Sequence, residues 1–193
     1  MSLSPLAVIG AAAVLAVPVG LLLRRLAPVR WAVLGLDRAL LLLAAALAVL
    51  ALTVAVAAGA WQVTTRFLLS QPSIWSEALV RTAIIWMVAL GAALALREGA
   101  LVAIDIAERY GPPPLRAAVA AASLAATLAF MGVLFWFGWS MAERVRFQQM
   151  AGLEVSIAWG YAAIPVGAAL AMLGAFARFL DPGPAGRPAE GGS

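Results

Sequence analysis

The sequence predicts an all-α polytopic membrane bundle. It has four core transmembrane helices, an extra N-terminal transmembrane helix and a short interfacial helix on the cytoplasmic side. Three observations carry this reading. Of the 193 residues 65% are apolar and 11% charged, whereas soluble domains average roughly 45–50% apolar and about 25% charged. The charges are spaced so that long stretches between them hold none. Those stretches are Ala/Leu-rich and lack the polar alternation of membrane strands.

A helix crossing a ~30 Å hydrocarbon core needs ~20 mostly apolar residues. Met1 to Leu23 carries no charge. A secretory signal would place positive charge before such a run, but here Arg24 and Arg25 follow it. It reads as an uncleaved spanning helix with its N terminus outside. The alternative is a peripheral extension, leaving four runs as the bundle. Arg24, Arg25, Arg30 and Arg38 then form a linker, which sets a boundary between 1–38 and a membrane domain at 39–180.

Ala39 to Thr65 is the second uncharged run. The connection from Trp61 to Glu77 carries Arg66, Gln71-Pro72, Trp61 and Trp75, and tryptophan suits the headgroup layer. It reads as a short loop or interfacial turn, with Ser73 or Ser76 as a cap for the next helix. The third run, Thr82 to Leu96, becomes a full span if its helix starts near Trp75 and holds Glu77 and Arg81 close to one interface. These two charges sit at i,i+4 with the acid first, the favourable order. One reading makes them an ion or proton site. The other makes them an interfacial pair that sets helix depth and contacts a partner, and it is preferred because a coupling site needs an ionisable group deep in the bundle.

From Arg97 to Arg116, the residues Glu98, Asp105, Glu108 and Arg109 share one helical face before Gly111-Pro-Pro-Pro114. A short helix in the cytoplasmic interface fits this stripe; an ordinary polar loop is the alternative. Ala117 to Ala142 and Val155 to Ala177 are the last two runs. Between them Glu143 and Arg146 are spaced for an i,i+3 pair. The Pro/Gly-rich tail at 181–193 reads as disordered. Small residues recur at packing distance in Ala89/Ala93, Gly91/Ala95 and Gly167/Ala171. Pro165 alone interrupts a later run.

Arginine placement orients the chain. With the residues after the first run cytoplasmic, nine arginines lie inside and four, Arg66, Arg81, Arg144 and Arg146, lie outside. The C terminus is then cytoplasmic and the N terminus periplasmic. The chain has no lysine, histidine or cysteine. That excludes a histidine-held haem, a Cys/His zinc site, a thiol nucleophile, a disulfide and a histidine triad. With no nucleophile–base pair and no metal-ligand cluster, the sequence reads as a non-enzyme without a cofactor. The +4 charge is scattered, which does not suit nucleic acid.

The order of several short elements resembles a known family. These are Arg66-Phe67, Trp75-Ser-Glu77 through Arg81, Ile85-Trp86, Leu90-Gly91-Ala-Ala93, Arg97-Glu98-Gly99, Val102-Ala-Ile-Asp105, Trp159-Gly-Tyr161 and Ile164-Pro165-Val166-Gly167. Together, over about residues 40 to 175, they resemble the DctQ-like small membrane subunit of tripartite ATP-independent periplasmic (TRAP) transporters. Leu101 stands where the family often has a histidine, and the family usually has four helices. The resemblance implies a bacterial inner-membrane scaffold subunit without chemistry of its own. Its implied partners are a large multi-helix TRAP membrane subunit, a periplasmic substrate-binding protein and membrane lipid. The implied process is sodium-driven uptake of a small organic acid. Under this reading Arg66, Trp75, Glu77, Arg81, Trp86, Gly91, Asp105 and Pro165 are structural or subunit-contact residues. The alternative is a structural or assembly subunit of another membrane complex.

Overall fold

The computed structural model describes residues 4–23, 27–71, 73–98 and 112–180. The expected interfacial helix, with Asp105, and the expected disordered tail lie outside the described residues. Among those described the chain is helical: α1 (Pro5–Leu23), α2 (Ala27–Phe67), α3 (Ile74–Glu98), α4 (Pro113–Arg144), α5 (Ala158–Tyr161) and α6 (Ala163–Leu180). Among the described residues five stretches are long and apolar enough to cross a membrane, with α5 and α6 together forming the fifth. The chain is therefore a multi-pass membrane protein with the all-α architecture expected.

The boundaries of the elements differ from the charge gaps in instructive ways. The second gap begins at Ala39, but α2 begins at Ala27 and continues past Trp61 to Phe67. Its 41 residues make a rod of about 61 Å at 1.5 Å per residue, about twice the hydrocarbon thickness. Charge gaps mark what lipid tolerates, whereas a helix continues until its backbone is broken. The polyproline segment read as a helix stop is also a helix start. Pro112 is the N-cap in extended geometry, and prolines fill the first turn of α4, where a missing N–H costs nothing.

The spans run alternately up and down. Ile9 of α1 meets Gly132 of α4 and Gly20 meets Phe176 and Phe179 of α6, so α1 lies antiparallel to α4 and parallel to α6. α2 pairs with α3 as a hairpin, while α1 and α2 scarcely touch. The centre belongs to the last span, which packs on α3 and α4 and also reaches α1 and α2. Half of its 18-residue apolar window is buried, against 6–17% in the corresponding windows of the other four spans.

Small residues make this centre possible. Gly160, Gly167 and Gly174 recur every seven residues and face α3. A Cβ at Gly167 would lie 2.7 Å from the Ala89 carbonyl oxygen, so the two backbones are already in contact. Ala93 and Ala171 are buried in the same region. Close approach of this kind drives helix association in lipid, where burying apolar surface gains little.

The connection between α4 and α5 is ordered. Met150 N–H donates to the Val155 carbonyl (2.8 Å) and Ile157 N–H to the Gln148 carbonyl (2.9 Å), closing a small antiparallel turn. Gly152 at its tip has φ +83°, and a Cβ there would sit 2.9 Å from the Trp75 nitrogen. Both the backbone angle and the space require glycine. The tip thus rests on the first turn of α3.

Candidate subunit-contact residues and the charged pairs

At the α2–α3 turn the chain buries hydroxyl groups and satisfies them locally. Thr65 and Ser76 are buried. The Ser76 hydroxyl donates to the Ser73 carbonyl (2.9 Å) and also bonds the Ser73 hydroxyl. Thr65 Oγ1 donates to the Gln62 carbonyl (3.1 Å) and reaches Ser73 Oγ at 3.4 Å. Ser73, one of the two serines expected to cap α3, precedes its first residue Ile74, and its hydroxyl meets those of Thr65 and Ser76. Buried hydroxyls with partners hold a turn firmly, because an unpaired one would be costly in an apolar setting.

One turn into α3, Arg81 donates to Glu77 Oε1 at 2.7 Å, the expected i,i+4 pair. The side chains are 72% and 60% exposed. The pair therefore faces outward from this chain. Trp75 is also exposed, and exposed Arg66 lies 5.9 Å from the Phe67 ring centroid. These residues share one end of the bundle, though no contact joins them into a single site.

Deeper along α3, the Trp86 indole donates to the Trp159 carbonyl at 3.0 Å. That carbonyl lies beside the break at Ala162 between α5 and α6. Pro165 sits just beyond the break and is buried. It has no N–H to give back to the Tyr161 carbonyl. It packs where a Cβ on Gly138 would be 3.0 Å from its Cδ. Trp86 and Pro165 are thus joined to the same helix break. Gly91, by contrast, has open space at its Cβ position.

Glu143 and Arg146 do not pair as their spacing suggested. α4 ends at Arg144 with Val145 as C-cap, and although the Arg146 N–H still donates to the Glu143 carbonyl (3.4 Å), the two side chains go to other partners. Glu143 instead accepts the Trp139 indole N–H (3.0 Å), and the Arg146 guanidinium lies 4.5 Å from the Phe147 ring centroid.

The most buried charge among the described residues is one that spacing along a single helix does not mark. Asp37 of α2 is 1% exposed, and its Oδ2 accepts Arg97 Nε of α3 at 2.7 Å. Its Oδ1 is buried without a hydrogen-bond partner. Gly174 of α6 leaves the room Arg97 needs, since a Cβ there would be 3.2 Å from Arg97 Cβ. A signal did exist. Asp37 is the single acidic residue before Glu77, and an antiparallel hairpin returns Arg97 to its level. The pair lies where α3 ends, not at the centre of a span. Among the described residues no group of three or more acidic side chains comes together to hold a metal.

Comparison with known proteins adds the following. A family described as tripartite ATP-independent periplasmic transporters, DctQ component, matches residues 55–182. The sialic acid TRAP transporter small permease protein SiaQ of Vibrio cholerae is 32% identical over 107 residues, 55% of this chain. The matched region spans 62% of that relative's length.

Proposed function

This chain belongs to the DctQ component family of tripartite ATP-independent periplasmic transporters, and from that premise we propose that it is the scaffold subunit of a sodium-driven uptake system. In this reading it supports a large multi-helix subunit that carries a small organic acid delivered by a periplasmic binding protein. It has no catalytic activity of its own. The Vibrio cholerae relative is named for sialic acid, itself an organic acid, which favours that substrate class.

The observation that carries the reading is the match over residues 55–182. Those residues hold the packed centre of the bundle, the α3–α6 glycine seam. A supporting observation is where the charges lie. Glu77 and Arg81 occupy the start of α3 and Arg97 its end, whereas a lone transporter would place an ionisable site near the midplane. The bacterial inner membrane, a cytoplasmic C terminus and a periplasmic N terminus complete the proposal, on the nine-to-four arginine bias. Residues 1–38 form an additional N-terminal unit and 39–180 the DctQ-like domain. Arg66, Trp75, Glu77, Arg81, Trp86, Gly91, Asp105 and Pro165 serve structure or subunit contact.

Co-purification in mild detergent followed by mass spectrometry tests this. A large membrane subunit should accompany the full chain, and liposomes holding the small chain alone should show no flux. Substrate flux from the small chain alone would overturn the scaffold role.

A further inference from the structure

α1 and an open groove divide one seam of the bundle between them. On α4, residues 132, 135, 139 and 142 recur at spacings of three and four and so share a face. α1 fills this seam at Gly132, where a Cβ would stand 2.7 Å from Ile9 Cγ2. Further along, Phe176 and Phe179 of α6 close over Gly20 of α1. Past the start of α1, towards the α4–α5 connection, no described residue of α1 lines the seam. There a groove of about 500 Å³ is lined by Phe135 and Trp139 of α4 and by Trp159, Pro165, Val166 and Leu170 of the last span. Its lining is almost wholly apolar.

The mouth of the groove is different in character. Glu143 and Arg146 line it and also line a second, more polar cavity with Ser140, Arg144 and Phe147. The Glu143 carboxylate is already engaged by the Trp139 indole. Among the described residues neither Arg144 nor Arg146 makes an ion pair. An apolar trough therefore opens onto two guanidinium groups against one carboxylate.

The length of the trough selects its occupant. From Phe135 to Arg144, the last residue of α4, is about 14 Å at 1.5 Å per residue. That is close to one leaflet's half of a ~30 Å core. A transmembrane helix of another protein would need the whole depth, and α1 occupies the seam from Gly132 onward. We propose that the groove binds a glycerophospholipid, with an acyl chain along Phe135, Trp159 and Val166 and the phosphate at Arg144 and Arg146. Arginine suits this place because its planar fork matches phosphate oxygens. Trp139 and Trp159 suit it because their rings favour the boundary between chains and headgroups. The proposal rests on the membrane placement of the chain and not on its part in transport.

Native mass spectrometry of the full chain tests it, after reconstitution with phosphatidylglycerol, phosphatidylethanolamine or diacylglycerol in turn. One molecule of either phospholipid should be retained and diacylglycerol should be lost. The double variant Arg144→Gln with Arg146→Gln should retain phospholipid roughly tenfold less. Ala169→Trp, on an exposed groove position of α6, should abolish retention. Both variants should keep the helicity of the parent. Equal retention of diacylglycerol, or unchanged phospholipid retention in Ala169→Trp, would overturn the proposal. So would an Ala169→Trp chain that keeps its lipid but loses a protein partner, since the groove would then be a protein contact.

Discussion

Asp37 and Arg97 are 60 positions apart and meet at 2.7 Å across the α2–α3 hairpin, with the carboxylate 1% exposed. The pair fixes which turn of α2 faces which turn of α3. It is supported from a third helix, because Gly174 leaves the space Arg97 uses. Asp37 lies outside the family-matched residues and Arg97 inside them, so the pair ties the start of α2 to the shared bundle.

Removing one partner of a buried pair costs about 3–5 kcal/mol because the other charge is left uncompensated. Arg97→Ala leaves the fully buried Asp37 carboxylate unpaired, so a loss of about 3–5 kcal/mol is expected. Asp37→Asn should cost less, since the half-buried Arg97 guanidinium, 21% exposed, can turn to water. The double variant Asp37→Asn with Arg97→Gln should lose less than the two singles summed. Thermal denaturation in detergent measures all three, and simple additivity would show that the charges do not act as a pair.

The glycine seam makes a graded prediction. Gly167→Ala drives a methyl group against the Ala89 backbone at 2.7 Å, which side-chain rotation cannot relieve. Overpacking of this kind costs about 1–3 kcal/mol. Gly174→Ala meets the Arg97 side chain at 3.2 Å and should be milder. Melting temperatures should fall in that order, and the reverse order would mean that α6 does not seat on α3 through Gly167.

Glu77 and Arg81 lead to a different expectation. Both are well over half exposed, and exposed i,i+4 pairs contribute about 0.3–0.5 kcal/mol. Glu77→Gln or Arg81→Gln should therefore leave the melting of the isolated chain almost unchanged. If the pair contacts the large subunit, the same variants should reduce its co-purification. The exchanged double variant, Glu77→Arg with Arg81→Glu, should reduce it less. An exchange no better than either single loss would remove pairing from the explanation.

The membrane spans were legible because arginine and carboxylate groups are costly in hydrocarbon, so uncharged runs mark where they cannot go. The same signal could not end α2 correctly. Trp61 looked like part of a turn, but nothing breaks the backbone between Ala60 and Phe67, and the helix continues. Glu77–Arg81 was legible because both partners lie on one helix at a fixed spacing. Asp37–Arg97 was not, because it needs the rotation and depth of two helices at once. Gly132 and Gly174 escaped notice for a related reason. In an alanine-rich chain a glycine that receives a side chain looks like one, such as Gly91, that faces open space.

The fold limits the orientation to two alternatives. The spans alternate, so the α2–α3 turn lies at one end of the bundle and the start of α4 at the other. In the proposed orientation the α4-start end is the cytoplasmic one, on the nine-to-four arginine bias of the sequence. The chain has no cysteine, so single introduced thiols report cleanly. Gln71 in the α2–α3 turn and Leu115 near the start of α4 are both exposed. In intact spheroplasts Gln71→Cys should react with a membrane-impermeant maleimide, and Leu115→Cys should react only after permeabilisation. Labelling in the opposite pattern would invert the chain. Labelling of both in intact spheroplasts would mean that α3 does not separate them across the bilayer.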